Sequence, residues 1–403
     1  MNKHSLSVGD IVEATTERLA FGGDAVARHE GLAIFVPFAA PGERVRIRIT
    51  ERKKSFARGV IEEILAASPA RREPPCRYFG ECGGCHLQHI SYDEQLRAKT
   101  GFVRDALARI GRISWDREIE IRSAAEFGYR SRAQVKIDSA SGQLRVGFNH
   151  TASHTVCDVE TCPVLAPELD RALAKLRSSL ASSDPAFAQP SEVEMALGET
   201  GVSLEPELIG FSDPPISQTV GDATYSFGAS AFFQVNYLLL EDFVKEATAG
   251  YSGKVALDLY AGVGLFTLQL ARSFGRVIGV ESDPRASRFA RRNISANEIA
   301  NVEFHNSRVD SWLKGLNSRR QLEAAPDLIL LDPPRAGAAD AIEEIARLRP
   351  SEVVYVSCDP TTLARDLRKL LDARYRLSNV VAFDLFPQTY HVETIAKLTL
   401  NLE

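Results

Sequence analysis

The sequence predicts a multidomain α/β protein. A mainly parallel, doubly wound sheet fills the C-terminal half, preceded by a small β-barrel and a central α+β segment. Three observations predict this. From about residue 225 short apolar runs alternate with helical stretches, the pattern of parallel strands joined by crossover helices. Residues 6–65 instead break into short strands punctuated by turns. Between these parts, Cys76, Cys82 and Cys85 crowd into ten residues.

In the first segment, Val8–Glu13 and Ala33–Pro37 read as strands. Gly22-Gly23-Asp24 and Pro41-Gly42-Glu43 read as turns, and Val45–Ile49 alternates charge with apolar residues. A barrel of about five strands over 1–65 follows. Its cations cluster at Arg44, Arg46, Arg48, Arg52, Lys53, Lys54 and Arg58, which suits an oligonucleotide backbone or simply a solvated face. Ser68–Pro75 is a Pro/Arg-rich link into a central domain over 66–215. Helical spacing runs through Leu96, Phe102, Val103, Ala106, Leu107 and Ile110, and a helix over 93–112 is expected to pack on the C-terminal domain. A second helix is expected near Ala166–Leu180. The sheet domain takes 216–403.

The net charge is −5, divided as +5 over residues 1–150 and −10 over the remainder. A basic front on an acidic body permits a polyanion-binding module. The N-terminus lacks the apolar core of a signal peptide, and no apolar run approaches the ~20 residues of a membrane span. The expectation is a cytoplasmic monomer that uses no membrane.

Six cysteines in such a chain argue for metal or redox chemistry over disulfides. Gly80, Gly83 and Gly84 let the loop around Cys76, Cys82 and Cys85 fold tightly. A fourth ligand must come from Cys157 or Cys162, and Cys162 precedes a proline, as the last ligand of some iron–sulfur runs does. Four thiolates suit zinc or a [4Fe–4S] cluster; the uneven spacing tilts the reading toward iron–sulfur.

Val255–Tyr260 is a buried strand carrying Asp258 near its end. Gly262 and Gly264 form a tight loop, and Val277–Val280 leads to Glu281, 17 positions after Gly264. An acid at a second strand end binds ribose hydroxyls in dinucleotide folds. The ordered set, without a third glycine, fits S-adenosylmethionine better than a dinucleotide. A third strand, Leu328–Leu331, ends in Asp332-Pro333-Pro334-Arg335 and places Asp332 near cofactor or target base. Val353–Val356 then feeds Ser357-Cys358-Asp359-Pro360. A thiol at this strand end faces a helix N-terminus, which is expected to favour its thiolate.

Together these residues resemble the RNA 5-methyluridine methyltransferases, and most closely the iron–sulfur 23S rRNA (uracil-5-)-methyltransferases. The resemblance covers nearly the whole chain. Residues 6–65 resemble a TRAM domain, and Phe232-Phe233-Gln234-Val235-Asn236 resembles the family's cofactor-binding segment. Asp258 to Gly264, Leu331 to Gly337, Ser357 to Asp366 and Phe386 to Glu393 match later motifs in order. The resemblance implies a Rossmann-like methyltransferase domain in which Gln234, Tyr260, Glu281 and Asp332 contact S-adenosylmethionine. It implies Cys76, Cys82, Cys85 and Cys162 as cluster ligands, Cys358 as nucleophile and Glu393 as the base that removes the C5 proton. The chain departs from the family at Leu265, where many relatives carry Asn, and in its extra Cys157. The residue near the adenine, around Asn306–Arg308, has no clear match.

The implied function is methylation of uridine C5 in RNA, most readily at a 23S rRNA site of the uracil(1939) type. The alternatives are the same chemistry on tRNA, which the cluster and barrel are expected to disfavour; an amino-methyltransferase using Asp332-Pro333-Pro334; and a non-catalytic RNA-binding protein with a structural metal. The Cys358–Glu393 pair argues against the last.

Overall fold

Alternation of apolar and polar residues builds the first element outward from its core. The computed structural model describes residues 6–139, 143–182, 191–206, 215–319 and 324–401. Strands β1 (Ile11–Leu19), β2 (Ala25–His29), β3 (Leu32–Val36), β4 (Arg44–Arg52) and β5 (Phe56–Ala66) close into a barrel in the order β1-β2-β3-β5-β4. Val45, Ile47 and Ile49 of β4 point inward while Arg44, Arg46 and Arg48 face out, the period of two that a half-buried strand requires. The barrel core runs past residue 66, because Leu87, Ile90 and Phe102 pack in it.

After the barrel come helix α1 (Tyr92–Arg109), strand β6 (Glu120–Arg122), strands β7 (Arg132–Asp138), β8 (Arg145–Asn149) and β9 (Val156–Asp158), and helix α2 (Pro167–Ala181). β10 (Glu192–Gly198) and β11 (Gly201–Glu205) follow, then a hairpin of β12 (Ile216–Val220) and β13 (Ala223–Phe227). The chain divides into two units. One holds Met1–Phe102, Phe148–Cys157 and Phe386–His391; the other holds Val103–Gly147, Asp158–Leu385 and Val392–Glu403.

The second unit is organised by a sheet whose elements are α3 (Leu240–Thr248), β14 (Gly253–Leu259), α4 (Leu265–Leu270), β15 (Phe274–Glu281), α5 (Pro284–Ala296), β16 (Val302–Asn306), α6 (Val309–Arg319), β17 (Leu328–Leu331), α7 (Ala339–Leu348), β18 (Glu352–Ser357), α8 (Pro360–Asp372), β19 (Tyr375–Phe383) and β20 (Glu393–Leu400). The strand order is β16-β15-β14-β17-β18-β20-β19-β6. The five strands from β16 to β18 run parallel, and β20 lies antiparallel to β18 and β19. All four residues of β17 are buried, as a strand covered on both faces must be. Val103, Ala106 and Leu107 of α1 join Leu257, Ile329 and Tyr355 in the core. The strand order reverses between β14 and β17. In open α/β sheets the crevice beyond the strand ends at such a reversal is where ligands bind. No helix among the described residues is long and apolar enough to cross a membrane.

Candidate active site

The parallel register brings the predicted cofactor residues to one edge of the sheet. Leu259 pairs with Val280 on one side and Leu331 on the other. Tyr260, Glu281 and Asp332 therefore leave three adjacent strands at the same level. The turn after β14 is tight: Tyr260, Gly262 and Gly264 all have positive φ, at 63°, 55° and 90°. Such backbone costs a tyrosine about 1–3 kcal/mol and is retained where the surrounding structure enforces it. Glu281 helps to enforce it, accepting from the Gly262 N–H at 2.9 Å and, on its other oxygen, from the Asp283 N–H at 2.7 Å. Oε1 also accepts from the Ser282 hydroxyl at 3.3 Å, while Oε2 keeps a further lone pair for a ribose hydroxyl.

Two features fit this edge to a bound cofactor. Asp258 is fully buried and accepts from the Thr267 hydroxyl, while its Oδ1 has no partner among the described residues. Burial pushes its carboxyl up to about 7, so a donor arriving at Oδ1 would satisfy a group now unpaired. At Gly262 a Cβ would meet nothing within 4 Å, leaving open space for a ligand beside the turn. The hairpin backs this loop: the Tyr225 hydroxyl donates to the Leu265 carbonyl at 2.9 Å, and Asn293 Nδ2 donates to the Val263 and Ser226 carbonyls. Leu265 itself is buried. Asn306 Nδ2 is spent on the Glu281 and Ser282 carbonyls and on Ser287.

Gln234 lies on a segment stapled to residues 131–132. Ser131 Oγ donates to the Gln234 and Val235 carbonyls at 3.2 and 3.0 Å, and the Arg132 guanidinium donates to the Ala231 and Ala229 carbonyls. Phe233 stacks on Phe227 at 4.3 Å. Its neighbour Phe232 remains 59% exposed, an aromatic face available to a base. Tyr129 is fully buried, and Phe79 packs edgewise on Phe38 at 5.3 Å.

Cys358 and Glu393 are brought together by strand register. Ser357 of β18 pairs with Thr394 of β20, so Cys358 and Glu393, one residue on, face each other across an antiparallel pair. The thiol is pushed up to about 12, first by burial, then by Glu393 and Asp332, with Arg335 opposing. Burial and Asp332 hold Glu393 well above the usual carboxylate range, again with Arg335 opposing. Asp332 keeps some exposed surface, but its carboxyl is shielded and is raised to about 7 by burial. These values overturn the expectation that a helix N-terminus lowers the Cys358 thiol. Asp359 caps α8, accepting from the Thr361 and Thr362 N–H groups at 2.8 and 3.1 Å, and Pro360 has no N–H to offer. The donors are taken, and burial, aided by two nearby carboxyls, outweighs what remains of the helix effect.

Arg335 is thus a cation acting on the Cys358 thiol and the Glu393 carboxyl together. Helix α8 holds its loop. Thr362 Oγ1 donates to the Arg335 carbonyl at 3.2 Å and the Arg365 guanidinium to the Ala336 carbonyl at 3.0 Å. Asp366 accepts from the Ala338 N–H and the Tyr355 hydroxyl, each at 2.8 Å. Gly337 has φ of 75°, and a Cβ there would lie 2.7 Å from Asp366 Oδ2.

The predicted cysteine ligands fall in different units. Cys76, Cys82, Cys85 and the buried Cys157 belong to the first, Cys162 to the second. Soft thiols suit iron or zinc. Among the described residues, however, no three His, Cys, Asp or Glu side chains are grouped to hold a metal. The barrel cations also differ from expectation: Arg44 and Arg46 pair with Glu13, Arg46 also with Glu63, Arg48 with Glu62, Lys53 with Glu51, and Arg58 with Asp24 and Glu51. Antiparallel pairing sets Glu-bearing β1 and β5 on either side of β4, so the charges of Arg44, Arg46 and Arg48 are offset in place.

Residues 218–400 match the tRNA (uracil-5-)-methyltransferase family model, and residues 6–61 match the TRAM domain. An uncharacterized RNA methyltransferase from Aquifex aeolicus is 35% identical over 97% of this chain and 99% of its own. The 23S rRNA (uracil(1939)-C(5))-methyltransferase RlmD of Pectobacterium atrosepticum is 35% identical over 93% of this chain and 90% of its own. Among solved structures, the Pyrococcus abyssi tRNA (uracil-54, C5)-methyltransferase in complex with S-adenosyl-L-homocysteine superposes with a TM-score of 0.73. It is 28% identical and covers 96% of this chain and 100% of its own.

Proposed function

Because the chain belongs to the RNA (uracil-5-)-methyltransferase family, we propose that Cys358 and Glu393 perform its C5 methylation of uridine in RNA with S-adenosylmethionine. The observation that carries this assignment is the register placing Cys358 opposite Glu393 at the strand ends beside Asp332.

Uracil C5 is a poor nucleophile until C6 is attacked. Cys358 Sγ bonds to C6, the C5–C6 double bond opens, and the negative charge spreads onto O4. S-adenosylmethionine supplies the methyl group as a sulfonium, which the activated C5 takes. Glu393 then removes the C5 proton, the double bond re-forms, and the Cys358–C6 bond breaks. Asp258, Tyr260, Gly262, Gly264, Glu281, Asp332 and Gln234 line the proposed cofactor edge. The target base must leave its stack to reach Cys358.

We propose 23S rRNA as the substrate on the strength of the RlmD relatives. The barrel does not separate this from tRNA, because the P. abyssi tRNA enzyme matches 96% of this chain. An iron–sulfur cluster on Cys76, Cys82, Cys85 and Cys162 remains a proposal supported by thiol chemistry and spacing; iron and sulfide in anaerobically purified protein test it, and stoichiometric zinc alone would refute it. The covalent assignment is tested with RNA containing 5-fluorouridine, whose fluorine cannot leave as a proton. Wild type is expected to give a slow, RNA-linked band on a denaturing gel and Cys358→Ala none. Methylation of normal RNA without any such band from wild type would overturn it.

A further inference from the structure

The segment Phe386–His391 groups with the barrel unit rather than with the sheet whose last strand it precedes. Tyr390 packs its ring on Phe21 and His86, and the rest of the attachment is polar and buried. Lys99, fully buried, donates its Nζ to the Phe386 carbonyl at 2.9 Å. Gln95 and Gln388, both fully buried, bond reciprocally: Gln95 Nε2 donates to Gln388 Oε1 at 3.0 Å, and the Gln388 N–H donates to Gln95 Oε1 at 3.0 Å. The Gln388 carbonyl accepts from the His86 and Leu87 N–H groups at 2.8 and 3.0 Å. The Thr389 hydroxyl donates to the Phe386 carbonyl at 2.8 Å and accepts from the His391 N–H at 3.2 Å. Gln388 has φ of 68°, which a non-glycine adopts only where its surroundings enforce it.

Burying an ammonium and two amides is costly unless each is satisfied, and here Lys99 and Gln95 each give at least one bond to a six-residue strap. The chain leaves that strap at His391 and reaches Glu393 two residues later. Resting on the covalent reading above, we infer that Lys99, Gln95 and Thr389 are positioning residues for Glu393. C6 attack and methyl transfer do not use Glu393 as base, so a slackened strap should spare them.

The test uses full-length Lys99→Met and Thr389→Val. The second is nearly isosteric and serves if thermal melts show that the first fails to fold. Single-turnover methyl transfer to normal RNA is expected within about threefold of wild type, and trapping by 5-fluorouridine RNA should be unchanged. Steady-state turnover should fall at least tenfold, with a covalent adduct on normal RNA that wild type does not accumulate, and Lys99→Arg should recover part of it. Folded variants with wild-type turnover, or with methyl transfer and turnover falling equally and no adduct, would overturn the inference. Absence of 5-fluorouridine trapping in wild type would instead overturn the covalent reading, and the inference with it.

Discussion

Arg335→Gln isolates the electrostatics of the nucleophile. Arg335 opposes the carboxyls that raise both Cys358 and Glu393. A charge about 6 Å away at an effective dielectric near 20 is worth roughly 3 kcal/mol. Arg335 is exposed, and solvent screening reduces this to about 1 kcal/mol. At 1.36 kcal/mol per pKa unit that is a little under one unit, so the thiolate population should fall five- to tenfold. The assay is alkylation of Cys358 in the free enzyme by iodoacetamide, followed at its own peptide by mass spectrometry from pH 7 to 9.5. The alkylation profile should move up by somewhat less than one pH unit, and single-turnover methylation should move with it. If methylation falls while the alkylation profile stays put, Arg335 acts on RNA and the electrostatic reasoning is wrong.

Glu393→Gln should retain C6 attack and methyl transfer but leave the adduct on normal RNA; a variant that turns over normally would remove Glu393 from the proposed role. Both Cys358 and Glu393 have raised pKa values, and the thiolate and carboxylate are their working forms. Methylation should therefore rise with pH through neutrality, and an optimum below pH 6 would contradict it. Glu43 is buried and bonded to the Arg71 guanidinium and the Ala40 N–H, which outweigh burial and lower its pKa. Its stabilising contribution is present above about pH 4.5 and is lost as pH falls. Arg71→Met should cost about 3 kcal/mol in urea unfolding at pH 7 by stranding a buried carboxylate; a loss under 1 kcal/mol would mean the carboxylate finds water. Replacing Glu13, Glu62 and Glu63 with Gln frees Arg44, Arg46 and Arg48, and should steepen the salt dependence of RNA binding by up to about 2, near 0.7 per released cation. An unchanged slope would place the β4 face off the RNA path.

Local chemistry made much of this protein legible from sequence. The four-residue apolar run Leu328–Leu331 reads as a strand, and the structure has it at those bounds, buried throughout. Gly262 and Gly264 announced a tight turn, which the structure makes with positive φ, and the acids after three apolar runs announced a ligand edge, because strand ends carry their side chains to one side of a parallel sheet. What sequence could not decide depends on partners distant in the chain. Cys358 read as an activated thiol because its own helix was visible, whereas the opposing carboxyl of Glu393 arrives through the register of β20. The arginines of β4 read as a free basic cluster because nothing local revealed that β1 and β5 would bring Glu13, Glu62 and Glu63 alongside. Phe386–His391 read as part of the catalytic domain, yet tertiary hydrogen bonds from Lys99 and Gln95 bind it to the barrel unit. Periodicity and turn chemistry are written in consecutive residues, but the dielectric and the charges around a group are set only when distant strands pair.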